Sequence, residues 1–218
     1  MSAARRGYDR LAGLYRGLEW LAFGDRLHRA RVALLDRLPG EGRVLVLGDG
    51  DGRLLAAMCR ARPRCRFVSV DLSGAMLARQ RRRVADASPE AGGRVAFVRA
   101  DALEHPLQEH GFDALVTAFF LDCFDAEQLG RGLPAWLGAV RPGGTWLLVD
   151  FVEPGGRLRR LHARVWLRLM HGFFRWQTGC PNRRLIDWRR VPGTREQRPV
   201  ARRDACFGMV RSELFTLL

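Results

Sequence analysis

The residue pattern predicts an α/β domain with a doubly wound, mostly parallel sheet and helices on both faces. Three observations predict it. Short apolar runs alternate with segments of helical period between about residues 44 and 150. A glycine turn, Gly48-Asp49-Gly50-Asp51-Gly52, follows the first run directly. Single acids, Asp71 and Asp101, close the second and third runs.

Taken in order, residues 8–38 read as two helices. Leu11, Leu14, Tyr15, Leu18, Trp20 and Leu21 mark the first; Leu27, Val32, Leu34, Leu35 and Leu38 mark the second. Gly24-Asp25 separates them and Pro39-Gly40 ends the second. Val44–Leu47 is a continuous apolar run, as in a parallel strand buried on both faces. A helix follows over Leu54–Arg60, then a strand over Phe67–Asp71 and a helix over Ser73–Val84. Val95–Val98, Ala114–Ala118 and Thr145–Asp150 give three more strands, with right-handed crossovers between parallel neighbours. A helix over Glu127–Val140 precedes the last, joined to it by the turn Arg141-Pro142-Gly143-Gly144. A long helix is expected over Arg157–Trp176. A closing hairpin follows, Pro199–Phe207 and Met209–Leu217 about Gly208. The chain reads as one domain: a helical cap over 1–40, a core over 41–151, and a basic helix, loop and hairpin over 152–218.

The 218 residues carry a net charge of +14, and every basic residue is arginine. The excess is local. Residues 157–203 hold fourteen arginines against Asp187 and Glu196, a balance of +12, which leaves +2 for everything else. This disfavours a protein coated all round by nucleic acid and suits a binding role for one segment, with contact to an anionic membrane surface as one form of it. No run reaches the roughly 18 apolar residues of a membrane span, and the N-terminus shows no secretory pattern. Cys59, Cys65, Cys123, Cys180 and Cys206 lack metal-ligand spacing and read as reduced thiols, so a cytoplasmic protein without a metal site is expected.

The glycine turn carries most of the chemical information. Glycines let backbone approach a ligand closely, and the following helix aims unpaired N–H groups at it. The dinucleotide fingerprint requires G-x-G-x-x-G; here the third glycine comes one residue early. Asp49 and Asp51 would repel a pyrophosphate and suit a cationic or zwitterionic ligand, such as the methionine end of S-adenosylmethionine. Asp71 is placed to accept from both ribose hydroxyls, or is a helix-terminal acid beside Ser73. Asp101 could accept from the adenine amine.

Over residues 8–218, and most specifically over 43–151, the chain resembles the class I methyltransferases. The resemblance rests on Val44–Gly52, Val68–Met76 with Asp71, Ala100-Asp101-Ala102, Phe112–Val116 and Leu137–Gly144. Tyr8-Asp9-Arg10-Leu11-Ala12 is similar to the small-molecule branch that includes quinone C-methyltransferases and phospholipid N-methyltransferases. The resemblance implies a Rossmann-like sheet of seven strands with an antiparallel last strand, N-terminal helices over the cofactor, and S-adenosylmethionine as that cofactor. Its cofactor-binding positions fall on Gly48, Asp49, Gly50, Asp51, Gly52, Asp71, Leu72, Met76, Asp101, Ala102, Thr117 and Phe119. One departure stands out: the acid usual two residues before the first glycine is Val46 here, and Asp49 or Asp51 could supply its charge.

The Asn/Asp-Pro-Pro-Tyr signature of amine methylation is absent, and the fourth strand ends instead in Phe119-Phe120-Leu121-Asp122. Asp122 could orient an acceptor or cap a helix. Tyr8, Tyr15, His162 and His171 are further candidates to take a proton, although in-line transfer from an activated sulfonium depends chiefly on positioning. On helix 157–176, Arg160, Arg164, Arg168, His171 and Arg175 form a narrow stripe beside a broad apolar surface. That surface could line an apolar pocket, rest on a membrane, or pack under the N-terminal helices. The expected function is methyl transfer to a small, apolar or amphipathic acceptor. RNA or protein methylation and cofactor binding without catalysis are the alternatives.

Overall fold

A computed structural model describes residues 25–153, 187–192, 194 and 197–218. The first helix expected from the sequence and the basic helix 157–176 lie outside these residues. Seven strands form one sheet: β1 (Glu41–Leu47), β2 (Arg64–Asp71), β3 (Val95–Arg99), β4 (Phe112–Ala118), β5 (Val140–Phe151), β6 (Pro199–Ala205) and β7 (Val210–Thr216). Their order is β3-β2-β1-β4-β5-β7-β6. Strands β1 to β5 pair with their neighbours in parallel, whereas β7 runs antiparallel to both β5 and β6. The expected closing hairpin is therefore β6 and β7.

Among the described residues, four α-helices accompany the sheet: α1 (Arg26–Val32), α2 (Arg53–Ala61), α3 (Gly74–Ala87) and α4 (Ala126–Gly138). The sheet splits the core in two because successive strand residues face opposite sides. Val44 and Val46 pack with Leu27, Leu54, Leu55 and Val84 from α1, α2 and α3. Leu45 and Leu47 pack on the other face with Leu129, Leu133 and Trp136 of α4. From Val44 to Leu47, β1 thus has no solvent face, which is why that stretch is a continuous apolar run rather than an alternating one.

Two boundaries differ most from the sequence reading. The second N-terminal helix stops at Val32, and Leu35–Arg37 form a 3-10 turn, although Leu34, Leu35 and Leu38 stay buried as expected. Strand β5 begins at Val140, not Thr145. It absorbs the Pro142-Gly143 turn through a register shift opposite Phe112/Ala114, with Gly143 at φ +74°.

Sheet order reverses between β1 and β4. In open α/β sheets the carboxyl ends of the strands flanking such a reversal form the ligand crevice. The glycine turn after β1 and the Phe119–Asp122 segment after β4 stand on either side of it.

Candidate active site

The three glycines answer three separate demands. Gly48 adopts φ +63°, its N–H donates to Val70 O at 3.0 Å, and a Cβ there would collide with the Phe120 ring. Gly52 adopts φ +86° at the start of α2, and its Cβ would lie 2.7 Å from Gln80 Cα. Gly50 also has a left-handed φ, +64°, but nothing lies within 4 Å of its absent Cβ. The outer glycines are therefore required by packing, and the middle one faces open space.

The two aspartates of the turn have different surroundings. Asp51 is paired with Arg53 at 3.1 Å and Arg83 at 3.1 Å, so its charge is already matched by two guanidinium groups. This narrows the electrostatic expectation placed on the pair to Asp49. One Asp49 oxygen accepts from Leu55 N at 3.0 Å, in the first turn of α2. Enclosure of the carboxyl pushes Asp49 up to about 7, against the opposing pull of that hydrogen bond and of Arg31. Val46, at the position the resemblance reserves for an acid, is a core residue 1% exposed.

Asp71 ends β2 half-buried. Its Oδ1 accepts from Ser73 N at 2.9 Å, and Gln80 Nε2 approaches its Oδ2 at 3.4 Å. The first contact is the helix-terminal role foreseen as the alternative to ribose binding. A carboxylate has about four acceptor sites, so the two roles are compatible. Ser73 caps α3 through Met76 N, which fixes the turn carrying half-buried Leu72 and buries Met76. Asp101, half-buried after β3, accepts from Leu103 N at 3.0 Å, and the carbonyl of Ala102 accepts from Trp136 Nε1 at 2.9 Å.

Beyond the reversal, Thr117 is fully buried and its hydroxyl accepts from Trp146 Nε1 at 3.0 Å. The Thr117 side chain is thus engaged inside the core, which leaves its backbone as the part of this position that can face the crevice. Phe119 is half-buried at φ +53°, with its N–H on Val149 O at 2.7 Å. Its ring centroid lies 4.8 Å from that of Phe151, and the Arg31 guanidinium stands over it at 4.8 Å. Asp122 lies half-buried in the 3-10 turn Leu121–Cys123. It does not cap α4; Asp125 does, in a reciprocal capping box with Gln128. Tyr8, Tyr15, His162 and His171 lie outside the described residues.

Three residues that the sequence reading did not single out join this edge. Arg31 on α1 is 7% exposed and lies near both Asp49 and Phe119. Asp150, 8% exposed near the end of β5, accepts backbone hydrogen bonds from Leu121, Asp122 and its neighbour Phe151. Burial first, and then the charge of Asp122, hold its carboxyl well above the usual carboxylate range. Gln80 is fully buried. Its signal was present: Met76, Leu77, Gln80 and Val84 fall on one stripe of α3, so an amide occupies a position that helical period assigns to the core.

Comparison with known proteins agrees with this geometry. The family model described as a methyltransferase domain matches residues 44–144. A ubiquinone/menaquinone biosynthesis C-methyltransferase from Geobacter sulfurreducens is 32% identical over 153 residues, covering 69% of this chain and 58% of that protein. The chain thus spans a little under three-fifths of that relative. A methyltransferase of calicheamicin biosynthesis, solved with S-adenosylhomocysteine bound, superposes with a TM-score of 0.65 at 20% identity, covering 94% of this chain and 56% of that one. An N-methyltransferase from Bradyrhizobium japonicum, also in complex with S-adenosylhomocysteine, gives 0.57 at 16% identity, covering 88% and 83%. Residues 44–144 therefore match a methyltransferase domain, and the sheet that carries them has the fold of these solved methyltransferases.

Proposed function

We propose that this chain transfers a methyl group from S-adenosylmethionine to a small apolar or amphipathic acceptor, a quinol-type ring being the acceptor class that best fits the Geobacter relative. We also read it as a single cytoplasmic domain able to rest on an anionic membrane surface. The observation that carries the activity is the carboxyl edge of β1, β2 and β3. There Gly50 leaves open space over a left-handed backbone, and Asp71 and Asp101 follow at the next two strand ends.

These residues fit the cofactor. The bare backbone at Gly50 allows close approach, Asp71 presents a carboxylate at the strand end where ribose hydroxyls bind in such folds, and Asp101 stands one strand further on for the adenine. When bound, the cofactor supplies a methyl group already activated on a sulfonium. The chain's own task is then to align the acceptor and to manage its proton. Asp122, after β4, is our candidate to take a proton from an acceptor hydroxyl or ring carbon, and Asp150 accepts backbone hydrogen bonds from the turn on which Asp122 sits.

RNA methylation is the weaker reading. Among the described arginines of the basic segment, Arg189 pairs with Glu213, Arg190 with Asp187 and Arg202 with Asp204, which removes part of the excess charge. No described helix is long and apolar enough to cross a membrane, so surface contact is the form of membrane association we propose.

Calorimetry with S-adenosylhomocysteine and with NADH tests the cofactor assignment: the first should bind and the second should not. Radiolabelled S-adenosylmethionine with a naphthoquinol in mild detergent then tests the acceptor, and label should enter the organic phase. Binding of NADH alone would overturn the methyltransferase reading.

A further inference from the structure

Helix α3 reaches back over the glycine turn with two side chains. Gln80 Nε2 donates to Gly50 O at 3.0 Å and, at the long end of the range, to Asp71 Oδ2 at 3.4 Å. Gln80 Oε1 accepts from the Ser69 hydroxyl at 2.7 Å. One turn later, Arg83 Nε donates to Asp51 O at 3.0 Å and its outer nitrogen to Asp51 Oδ2 at 3.1 Å. Two successive carbonyls of the turn are therefore held by donors from one helix. The orientation of the amide follows from chemistry, because a carbonyl and a carboxylate can only accept.

The backbone is arranged to permit this reach. Gly52 lies so close to α3 that a Cβ would press on Gln80 Cα itself. Ser69, buried within β2, anchors the other end of the amide to the sheet. Gln80 thus ties together the open glycine turn, the acid that closes β2, and the strand between them. A fully buried amide with all of these groups engaged is rigid, and unmaking its bonds is costly.

We infer that Gln80 is a positioning residue for the cofactor: it fixes the height of the Gly50 backbone relative to the Asp71 carboxylate, and so sets affinity at that end of the site without touching the acceptor. This rests on the cofactor reading above.

The test is a double-mutant cycle on S-adenosylhomocysteine affinity, using Gln80→Leu, Asp71→Asn and the pair, with thermal midpoints measured in parallel. Gln80→Met, which keeps the side-chain length without polar atoms, serves if the Leu variant does not fold. Gln80→Leu should weaken binding about tenfold. The pair should be no more than about threefold weaker than Asp71→Asn alone, because coupled residues do not add. At saturating cofactor, turnover should stay within about twofold of wild type while the KM for S-adenosylmethionine rises. Unchanged affinity in the Gln80 variants, or effects that multiply, would overturn the inference. A wild-type protein that fails to bind S-adenosylhomocysteine would overturn the cofactor reading itself.

Discussion

Along the carboxyl edge of the sheet, the β1–β3 side and the β4–β5 side are held by different means. On the first, the acids Asp49, Asp71 and Asp101 each accept from a backbone N–H close by in sequence, Leu55, Ser73 and Leu103. On the second, buried Asp150 of β5 lies beside Asp122, which follows the neighbouring strand β4, and Phe119 holds a left-handed backbone without being glycine. The first side is a frame of turns, each held by a contact between residues close in sequence. The second is an assembly of particular side chains, as expected where selectivity among acceptors is set. Within the frame, moreover, the glycines divide between packing and access.

The largest effects should separate those two uses. Gly52→Ala forces a Cβ against the backbone of Gln80 at a positive φ, which should cost about 2–4 kcal/mol. Gly50→Ala meets no neighbour and should cost only about 1 kcal/mol for its left-handed φ. For a domain of this size each kcal/mol shifts Tm by about 2–4 °C, so thermal denaturation distinguishes them. Binding should not follow stability. Gly50→Ala should lose S-adenosylhomocysteine affinity while remaining folded, because its methyl group enters the open space. If it binds normally, the cofactor backbone contact does not lie at Gly50.

This division also explains what could be read in advance. Strands β1 to β5, the turn after β1 and the acids closing β2 and β3 were legible because local rules create them: apolar runs, glycine spacing, an acid at a strand end. Asp51 could not be told from Asp49 because its partner Arg83 lies 32 residues away and reaches it only once α3 has packed. The burial of Asp150 beside Asp122 depends on the β4–β5 pairing, and the side chain of Thr117 was turned inward by Trp146, on the neighbouring strand. Such features are set by register between strands, which no single stretch of sequence contains. The sequence reading of β5 failed at its start for a related reason: the Pro142-Gly143 turn is drawn into the strand by pairing with β4.

A second effect, of intermediate size, tests whether Asp49 is a liability carried by the frame. Its carboxyl titrates at about 7 in the fold against 3.8 in a solvated chain. The native state therefore holds an extra proton between those values, and this group's contribution to stability falls as pH rises from about 4 through 7. Asp49→Asn keeps an oxygen for Leu55 N–H without the charge. It should match wild type near pH 4 and exceed it by a few degrees in Tm at pH 8. Parallel Tm profiles for the two proteins would show that the Asp49 carboxyl is not enclosed.

The smallest effect concerns the β4–β5 side, and it turns on sign more than size. In extended or helical backbone, glycine is less stable than alanine by about 0.5–1 kcal/mol because it loses more freedom on folding. At position 119 the order should reverse, since φ +53° strains any residue that carries a Cβ. Phe119→Gly and Phe119→Ala lose the same ring contacts with Phe151 and Arg31, so their difference isolates the backbone. Phe119→Gly should be the more stable by about 1 kcal/mol, or about 2–4 °C in Tm. A strained residue is retained where the surrounding structure or the function holds it. If the ring serves the acceptor and not, as the resemblance implies, the cofactor, both variants should lose methyl transfer to a similar degree while S-adenosylhomocysteine affinity holds. Should the alanine variant prove as stable as the glycine variant, the backbone at 119 is not left-handed, and the contrast between the two sides of the edge loses its main support.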